Sequence, residues 1–256
     1  MNFDVTPHGA EAPKSQPARA ASQTPARRTL LRSALTGAAM VGAGLTVGAA
    51  TAHASTTTTL PRPATPQQAL AELAAGNRRW RTLTQTHPHE SAAVRHTLTT
   101  GQQPFALVLG CIDSRVPPEL VFDQGLGDLM TVRSGGQVLD EAVLGSVAYG
   151  VLELNIPLVV VLGHQSCGAV RAAVEAEETG AELPAHIQYL ADQIAPNIDH
   201  TKEGDARVDS TIDRNIRAIR SQLAAEPDFA DKLHSGALAI VGARYELTTQ
   251  LVHTLS

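Results

Sequence analysis

Short apolar runs recur along the chain and alternate with longer segments of helical periodicity. Three of these runs, residues 105–110, 157–163 and 237–242, end in glycine, and residues 129–133 form a fourth. Runs of this length, rich in aliphatic and β-branched residues, are typical of strands that are buried on both faces of a parallel sheet. The alternation of strand and helix therefore predicts an α/β fold with a parallel-rich central β-sheet flanked by helices.

Helical segments separate the predicted strands. Helices are predicted over residues 138–153 and from residue 168 to about residue 177. A long amphipathic helix is indicated by five apolar residues at helical spacing. These residues are Val208, Ile212, Ile216, Ile219 and Leu223. Further upstream, Thr65 is a favourable N-cap, Pro66 suits the first helical position and Gln68 completes a capping box, so another helix is predicted to begin there.

The first part of the chain has a different composition. About 25 residues without apolar periodicity precede the adjacent Arg27 and Arg28, an uncharged run follows from residue 33 to residue 50, and residues 52–54 form a small-x-small pattern. A charged region, an apolar region and a cleavage site in this order are typical of an export signal, and adjacent arginines favour the twin-arginine type. The alternatives are a retained transmembrane anchor, which the weak hydrophobicity of the run disfavours, and a segment with no targeting role.

These patterns divide the chain of 256 residues into three parts. Residues 1–54 are predicted to be a twin-arginine export signal peptide, residues 55–64 a linker, and residues 65–256 one folded α/β domain. The mature protein is therefore expected outside the cytoplasm, in a periplasm, in a cell wall or secreted. No stable membrane insertion is expected after cleavage.

The charge balance excludes one class of partner. The whole chain has a formal net charge of −5, and residues 1–54 hold five of its 20 basic and two of its 25 acidic residues. Their removal leaves 15 basic and 23 acidic residues, a formal charge of −8. An acidic domain with 3% aromatic residues lacks both the basic surface and the stacking residues that nucleic-acid binding requires.

Polar residues follow two of the predicted strands at the point where each strand ends. Cys111, Asp113 and Arg115 come after the first strand, and His164 and Cys167 come after the third. Because open α/β sheets place their sites at the carboxyl ends of the strands, these side chains are expected to lie together. Two thiolates and one imidazole form a three-ligand set for zinc that leaves a fourth position for water.

Two other interpretations of the cysteine pair remain open at this point. Cys111 and Cys167 are the only two cysteines of the chain, and two neighbouring strand ends are close enough for a disulfide. Both thiols can also be plain buried apolar groups. Neither alternative explains why His164 lies three residues before Cys167.

The two clusters resemble a known pair of motifs. Cys111, Asp113 and Arg115 match the Cys-x-Asp-x-Arg motif of β-class carbonic anhydrases, and His164 and Cys167 match the His-x-x-Cys motif of the same family. The resemblance covers residues 66–250, including residues 120–129 and 242–245. It implies a β-carbonic anhydrase-like fold, one zinc ion per subunit on Cys111, His164 and Cys167, and the reversible hydration of CO2 to bicarbonate and a proton.

The resemblance also assigns roles to further residues. It implies that Asp113 accepts a hydrogen bond from the attacking hydroxide and that Arg115 holds Asp113 ionised and off the metal, with Asp113 as a fourth zinc ligand in a closed state. The alternative for this pair is a structural ion pair. Gln102 and Tyr149 match substrate-binding residues of plant-like members, and their alternatives are a solvated turn glutamine and a core tyrosine.

The resemblance leaves assembly and substrate open. The end of the first helix, around Trp80, resembles a segment that packs against a partner subunit, which implies a homodimer or tetramer; the alternative is docking within one chain. Carbonyl sulfide and carbon disulfide hydrolases share the fold and are alternative activities. A non-catalytic zinc protein closed by Asp113 is a further alternative, against which Arg115 argues because it offers Asp113 another partner.

Overall fold

The structure, a computed structural model, describes residues 62–255. The predicted export signal and most of the predicted linker lie outside the described residues. Within the described part of the chain, no helix is long and apolar enough to cross a membrane.

A single five-stranded sheet organises the described residues. Its strands are β1 (Ala106–Cys111), β2 (Leu129–Ser134), β3 (Leu158–His164), β4 (Ala239–Tyr245) and β5 (Val252–Leu255). The strand order is β2-β1-β3-β4-β5, in which the first four strands are parallel and β5 pairs antiparallel with β4. The predicted α/β class with a parallel-rich sheet is confirmed, and β5 is an addition that no apolar run indicated.

The sequences of the two central strands do not alternate between apolar and polar residues, and their burial gives the reason. Every residue of β1 and β3 is buried, because helices cover both faces of a parallel sheet. Gly110 of β1 pairs with Leu162 of β3. Cys111 and His164, which end these two strands, therefore leave the sheet at the same edge and within about one residue of the same level.

Eight α-helices lie in the described part of the chain. They are α1 (Pro66–Arg81), α2 (Ala92–Thr97), α3 (Pro118–Val121), α4 (Glu141–Ala148), α5 (Gly168–Thr179), α6 (Ile187–Ile194), α7 (Gly204–Ala224) and α8 (Ala230–His234). A π-helical segment, Tyr149–Glu153, follows α4, and short 3-10 helices span Leu98–Thr100, Gly135–Gln137, Ala195–Asn197 and Pro227–Phe229. The helix predicted over residues 138–153 is thus shorter and ends in a π-helical turn. The long amphipathic helix is confirmed as α7, whose five predicted apolar residues are all buried.

The two faces of the sheet carry separate hydrophobic clusters. Leu107 and Val159 point into the cluster that α4, α5 and α7 cover, whereas their neighbours Val108 and Val160 point into the cluster beneath α1. Successive residues of a strand face opposite sides of the sheet, so one buried strand contributes to both clusters.

Helix α1 begins where the sequence predicts. The Thr65 hydroxyl accepts a hydrogen bond from the backbone N–H of Gln68 at 3.2 Å, and Gln68 Oε1 accepts from the backbone N–H of Ala64 at 2.9 Å. The backbone N–H that donates to the Gln68 side chain therefore belongs to the residue before the N-cap, whereas in the usual capping box it belongs to the N-cap itself. At the other end, Trp80 Nε1 donates to the hydroxyl of Tyr245 at 3.1 Å, so α1 docks on its own chain.

Candidate metal centre

The structure brings the three predicted zinc ligands together. Cys111 is the last residue of β1, His164 is the last residue of β3, and Cys167 directly precedes α5. All three are buried, and their ligand atoms lie within 4.8 Å of one another. The two Sγ atoms are 3.9 Å apart, which is too long for a disulfide bond.

The imidazole of His164 presents Nε2 as a potential metal ligand. Its Nδ1 lies 2.9 Å from the carbonyl oxygen of Gln165, and only a protonated Nδ1 makes a hydrogen bond there. Nε2 is buried and has no hydrogen-bond partner. A buried nitrogen lone pair beside two buried thiols is an unsatisfied arrangement unless a metal fills it. The donor set of two sulfurs and one nitrogen fits zinc.

The two thiols influence each other strongly. The pKa of Cys111 is lowered to about 4, mainly because the Cys167 thiol donates a hydrogen bond to it, with further help from His164 and from the backbone N–H of Gly136, 3.4 Å away. The pKa of Cys167 is raised, first because it is that donor and second because it is buried. The metal-free pair therefore shares one proton, which metal binding must release.

Asp113 lies beside the ligands and is held by Arg115. Arg115 Nε donates to Oδ1 at 2.9 Å and Nη2 donates to Oδ2 at 2.7 Å. These bonds to Arg115 are the main reason that the pKa of Asp113 is lowered to about 2. Asp113 Oδ2 is 3.8 Å from His164 Nε2, so an ionised carboxylate faces the place where a metal would lie.

Two contacts fix the loops that carry these groups. Arg115 Nη2 also approaches the carbonyl oxygen of Ser166 at 3.4 Å, which links the Cys111 loop to the Cys167 loop. Arg133, on β2, donates from Nε to the carbonyl oxygen of Cys111 and from Nη2 to that of Asp113, both at 2.8 Å. Sequence reasoning missed Arg133, because an isolated arginine near a strand end gives no signal of its carbonyl partners.

Gln102 and Tyr149 do not join the metal centre within one chain. Gln102 is exposed and lies before the start of β1, whereas the ligand Cys111 lies at its end. From Ala106 to Cys111 the strand is about 16 Å long, at about 3.3 Å per residue. Tyr149 directly follows α4, nine residues before β3 begins, and is 51% exposed. The alternative of a core tyrosine is therefore wrong. Both residues lie towards the amino ends of the parallel strands, on the side of the sheet away from the ligands.

Comparisons with known proteins agree with this geometry. A family model described as carbonic anhydrase matches residues 106–252. Carbonic anhydrase 2 of Mycobacterium tuberculosis is 41% identical over 184 residues, which are 71% of this chain and 89% of that protein. The carbonic anhydrase of Mycolicibacterium smegmatis is 40% identical over 186 residues, 72% of this chain and 90% of that protein.

Solved structures of the same fold are also similar to this chain. The β-carbonic anhydrase CcaA superposes with a TM-score of 0.59 at 23% identity, covering 73% of this chain and 95% of that one. A tetrameric β-carbonic anhydrase from Sordaria macrospora superposes with a TM-score of 0.59 at 19% identity, covering 73% and 96%. At these identities the structural similarity identifies the fold alone.

Proposed function

This chain belongs to the carbonic anhydrase family and has the fold of β-carbonic anhydrases, and we propose that it catalyses the reversible hydration of CO2 to bicarbonate and a proton. The observation that carries the proposal is the ionised Asp113 beside the buried set of Cys111, His164 and Cys167. Three ligands with a carboxylate held at the open side are the arrangement of a catalytic rather than a closed zinc site.

Different residues of the chain would bind the metal and orient the attacking oxygen. Cys111 Sγ, Cys167 Sγ and His164 Nε2 would hold the metal, and the two thiolates would supply negative charge to the cation. When bound in such a site, zinc supplies a Lewis acid that lowers the pKa of a water ligand to about 7. The three ligand residues are buried, whereas the side chain of Asp113 beside them is 14% exposed.

Asp113 orients the attacking oxygen. Because Arg115 lowers the pKa of Asp113 to about 2, the carboxylate is ionised at neutral pH and accepts a hydrogen bond rather than donating one. A hydrogen bond accepted by Asp113 would hold the attacking oxygen in one orientation relative to the substrate. Arg115 donates to both carboxylate oxygens, which holds Asp113 in this orientation and would oppose its use as a metal ligand.

Metal analysis with activity assays on the full chain tests this function. We expect one zinc per chain and rapid CO2 hydration in stopped-flow measurements, with little hydrolysis of carbonyl sulfide or carbon disulfide. Cys167→Ala should abolish both zinc binding and hydration. A zinc-loaded chain that leaves CO2 unchanged, or that prefers a sulfur analogue, contradicts the proposal.

We also propose that two copies of the chain form a dimer in which each copy completes the site of the other. The support is that Gln102 and Tyr149, which the resemblance assigns to the substrate, are exposed on the side of one chain that lacks the metal ligands. The Sordaria relatives of this fold are described as tetrameric. In a dimer, Gln102 of one copy can lie at the metal site of the other copy.

A complementation experiment distinguishes this assembly from a self-sufficient chain. Gln102→Ala keeps the metal ligands and Cys167→Ala keeps Gln102, so each variant alone should be nearly inactive. Co-expression should restore activity to about half of the wild-type value per mixed dimer, because one of its two sites is complete. Sedimentation of an active monomer at assay concentration, or no restoration on co-expression, contradicts the proposal.

The location of the protein is a further proposal, supported by the sequence of residues 1–54. We propose export by a twin-arginine route, which carries folded proteins and lets the thiolates bind zinc in a reducing cytoplasm. Replacement of Arg27 and Arg28 by lysine should retain the protein inside cells, whereas the control Arg32→Lys should not. Unchanged export of the double variant overturns this route.

A further inference from the structure

The orientation of the His164 ring depends on the backbone of the next residue. Nδ1 of His164 is 2.9 Å from the carbonyl oxygen of Gln165, and this bond leaves Nε2 as the ligand atom. A metal-bound histidine is generally oriented by the partner of its other ring nitrogen. The position of the Gln165 carbonyl therefore determines where Nε2 points.

Gln165 is itself held by β4 and by the turn that follows it. Its backbone N–H donates to the carbonyl oxygen of Tyr245 at 2.9 Å, one step beyond the register pair of His164 with Tyr245. Its side-chain Oε1 accepts from the backbone N–H of Thr248 at 3.1 Å and from the Thr248 hydroxyl at 3.3 Å. The amide group thus fastens the ligand loop to residues 246–251, the β4–β5 turn.

The β4–β5 turn is a firm anchor because helix α1 holds it. Asn77 is buried in α1, and its Nδ2 donates to the carbonyl oxygen of Gln250 at 3.0 Å. Its Oδ1 accepts from the backbone N–H of Val252, also at 3.0 Å. Within the turn, Gln250 N donates to the carbonyl oxygen of Glu246 at 2.7 Å. A hydrogen-bonded path therefore runs from the buried face of α1 to the ring of His164.

We propose that Gln165 is a positioning residue for the metal ligand His164, acting through its side-chain bonds to Thr248. The inference rests on the proposed zinc site but not on the reaction that the site catalyses. The His-x-x-Cys motif leaves this position open, so the role comes from the contacts with the turn and not from the motif. Loss of such an outer partner of a metal-bound histidine typically weakens metal binding by about 10–100-fold.

Zinc release from the full-length, zinc-loaded chain tests the proposal. The probe is the first-order rate of zinc transfer to an excess of a chromophoric chelator. Gln165→Leu removes the acceptor and should release zinc about 10-fold faster than wild type or more. Gln165→Glu keeps an oxygen acceptor and should stay within about twofold of wild type. Thr248→Val, a milder variant that keeps the backbone N–H, should accelerate release by a smaller factor.

Gln188→Leu is the matched control. Gln188 Oε1 also accepts a hydrogen bond from a backbone N–H, that of Leu183 at 2.8 Å, but no hydrogen bond of Gln188 involves a metal ligand. This variant should release zinc at the wild-type rate. The visible absorption of cobalt-substituted protein adds a direct report of ligand geometry, which Gln165→Leu should change and Gln188→Leu should not.

The outcomes separate this inference from the proposed function. Equal release rates and equal cobalt spectra for wild type and Gln165→Leu overturn the positioning role. Equal acceleration in Gln165→Leu and Gln188→Leu also overturns it, because it reflects general loosening of the chain. A wild-type chain that holds zinc but does not hydrate CO2 contradicts the proposed function and leaves the role of Gln165 intact.

Discussion

Arg115 binds the carboxylate of Asp113 through two parallel hydrogen bonds, 2.9 Å from Nε to Oδ1 and 2.7 Å from Nη2 to Oδ2. The backbone N–H of Arg115 donates a third bond to Oδ1, also at 2.9 Å. Asp113 is consequently occupied on both oxygens although its Oδ2 is only 3.8 Å from the unpartnered Nε2 of His164. The pair therefore decides whether the carboxylate orients a nucleophile or becomes a ligand.

Removal of the Arg115 side chain should close the site. In Arg115→Ala the carboxylate is free to turn to the metal, so zinc should remain at one per chain while kcat/KM for CO2 hydration falls on the order of 100-fold, as for a misplaced reacting group. Arg171→Ala, which removes an exposed ion pair with Asp205, is the control and should keep its activity. Wild-type activity in Arg115→Ala would make the pair a structural one, the alternative that the sequence leaves open.

The lowered pKa of Asp113 predicts that the folded chain loses stability at acidic pH. Because the pKa of this carboxyl is about 2 in the folded state and about 3.9 in an unfolded chain, its contribution is fully present above about pH 4 and is lost as the pH falls towards 2. The comparison is between wild type and Asp113→Asn, both metal-free and reduced, in urea unfolding from pH 6 to pH 2.

The difference between these two proteins isolates Asp113, since the other carboxyls titrate in both. Wild type should be more stable than Asp113→Asn at pH 6, and the difference in unfolding free energy should shrink as the pH falls from about 4 to 2. A difference that stays constant over this range would show that the carboxylate charge contributes nothing to the stability of the loop.

The features that could be predicted from the sequence are those with a local signal. The apolar runs predicted β1 and β3 because every residue of these strands is buried, up to the ligands at their ends. The run of β2 is less regular, and its residues are only partly buried or exposed. The ligand set was predictable because parallel strands carry their following residues to one edge. β5 gave no such signal, since its residues Val252–Leu255 lie at the sheet edge and are only partly buried or exposed.

The contacts that position the site escaped prediction because they join distant parts of the chain. Gln165 and Thr248 are 83 residues apart, and Arg133 and Cys111 are 22 apart. Nothing in the residues around Thr248 or Arg133 indicates these partners. They follow from the sheet register and from the path of the turns, which are properties of the folded chain.

Metal removal should expose the cysteine pair to oxidation. With Sγ atoms 3.9 Å apart and no other cysteine in the chain, the metal-free protein should react with oxidised glutathione to form the bond between Cys111 and Cys167, releasing two equivalents of reduced glutathione. Zinc-loaded protein should keep both thiols, because the metal occupies them. Thiol titration with intact mass measures this. Two persistent free thiols in the metal-free chain would show that the sulfurs are held apart by the fold.

Helix α1 depends on a glycine that contacts backbone. A Cβ atom on Gly76 would lie 1.7 Å from the carbonyl oxygen and 2.7 Å from the carbonyl carbon of Phe122, which follows α3. The next residue, Asn77, donates to the carbonyl oxygen of Val121 at 3.1 Å. The two segments therefore touch through their backbones, and the nearest atoms to a side chain at residue 76 belong to the Phe122 carbonyl, which cannot rotate aside. Gly76→Ala should destabilise the folded chain by about 3 kcal/mol, at the upper end of the cost of overpacking.

Gly145 offers a matched substitution with the opposite expected sign. It lies in α4, is exposed, and a Cβ atom there would meet no atom within 4 Å. Since alanine is the better helix former, Gly145→Ala should stabilise the chain by about 0.5–1 kcal/mol. Urea unfolding of both variants under the same conditions measures the two effects. If Gly76→Ala also stabilised the chain, helix propensity would outweigh the contact with Phe122, and α1 would not pack against the end of α3 as closely as the structure shows.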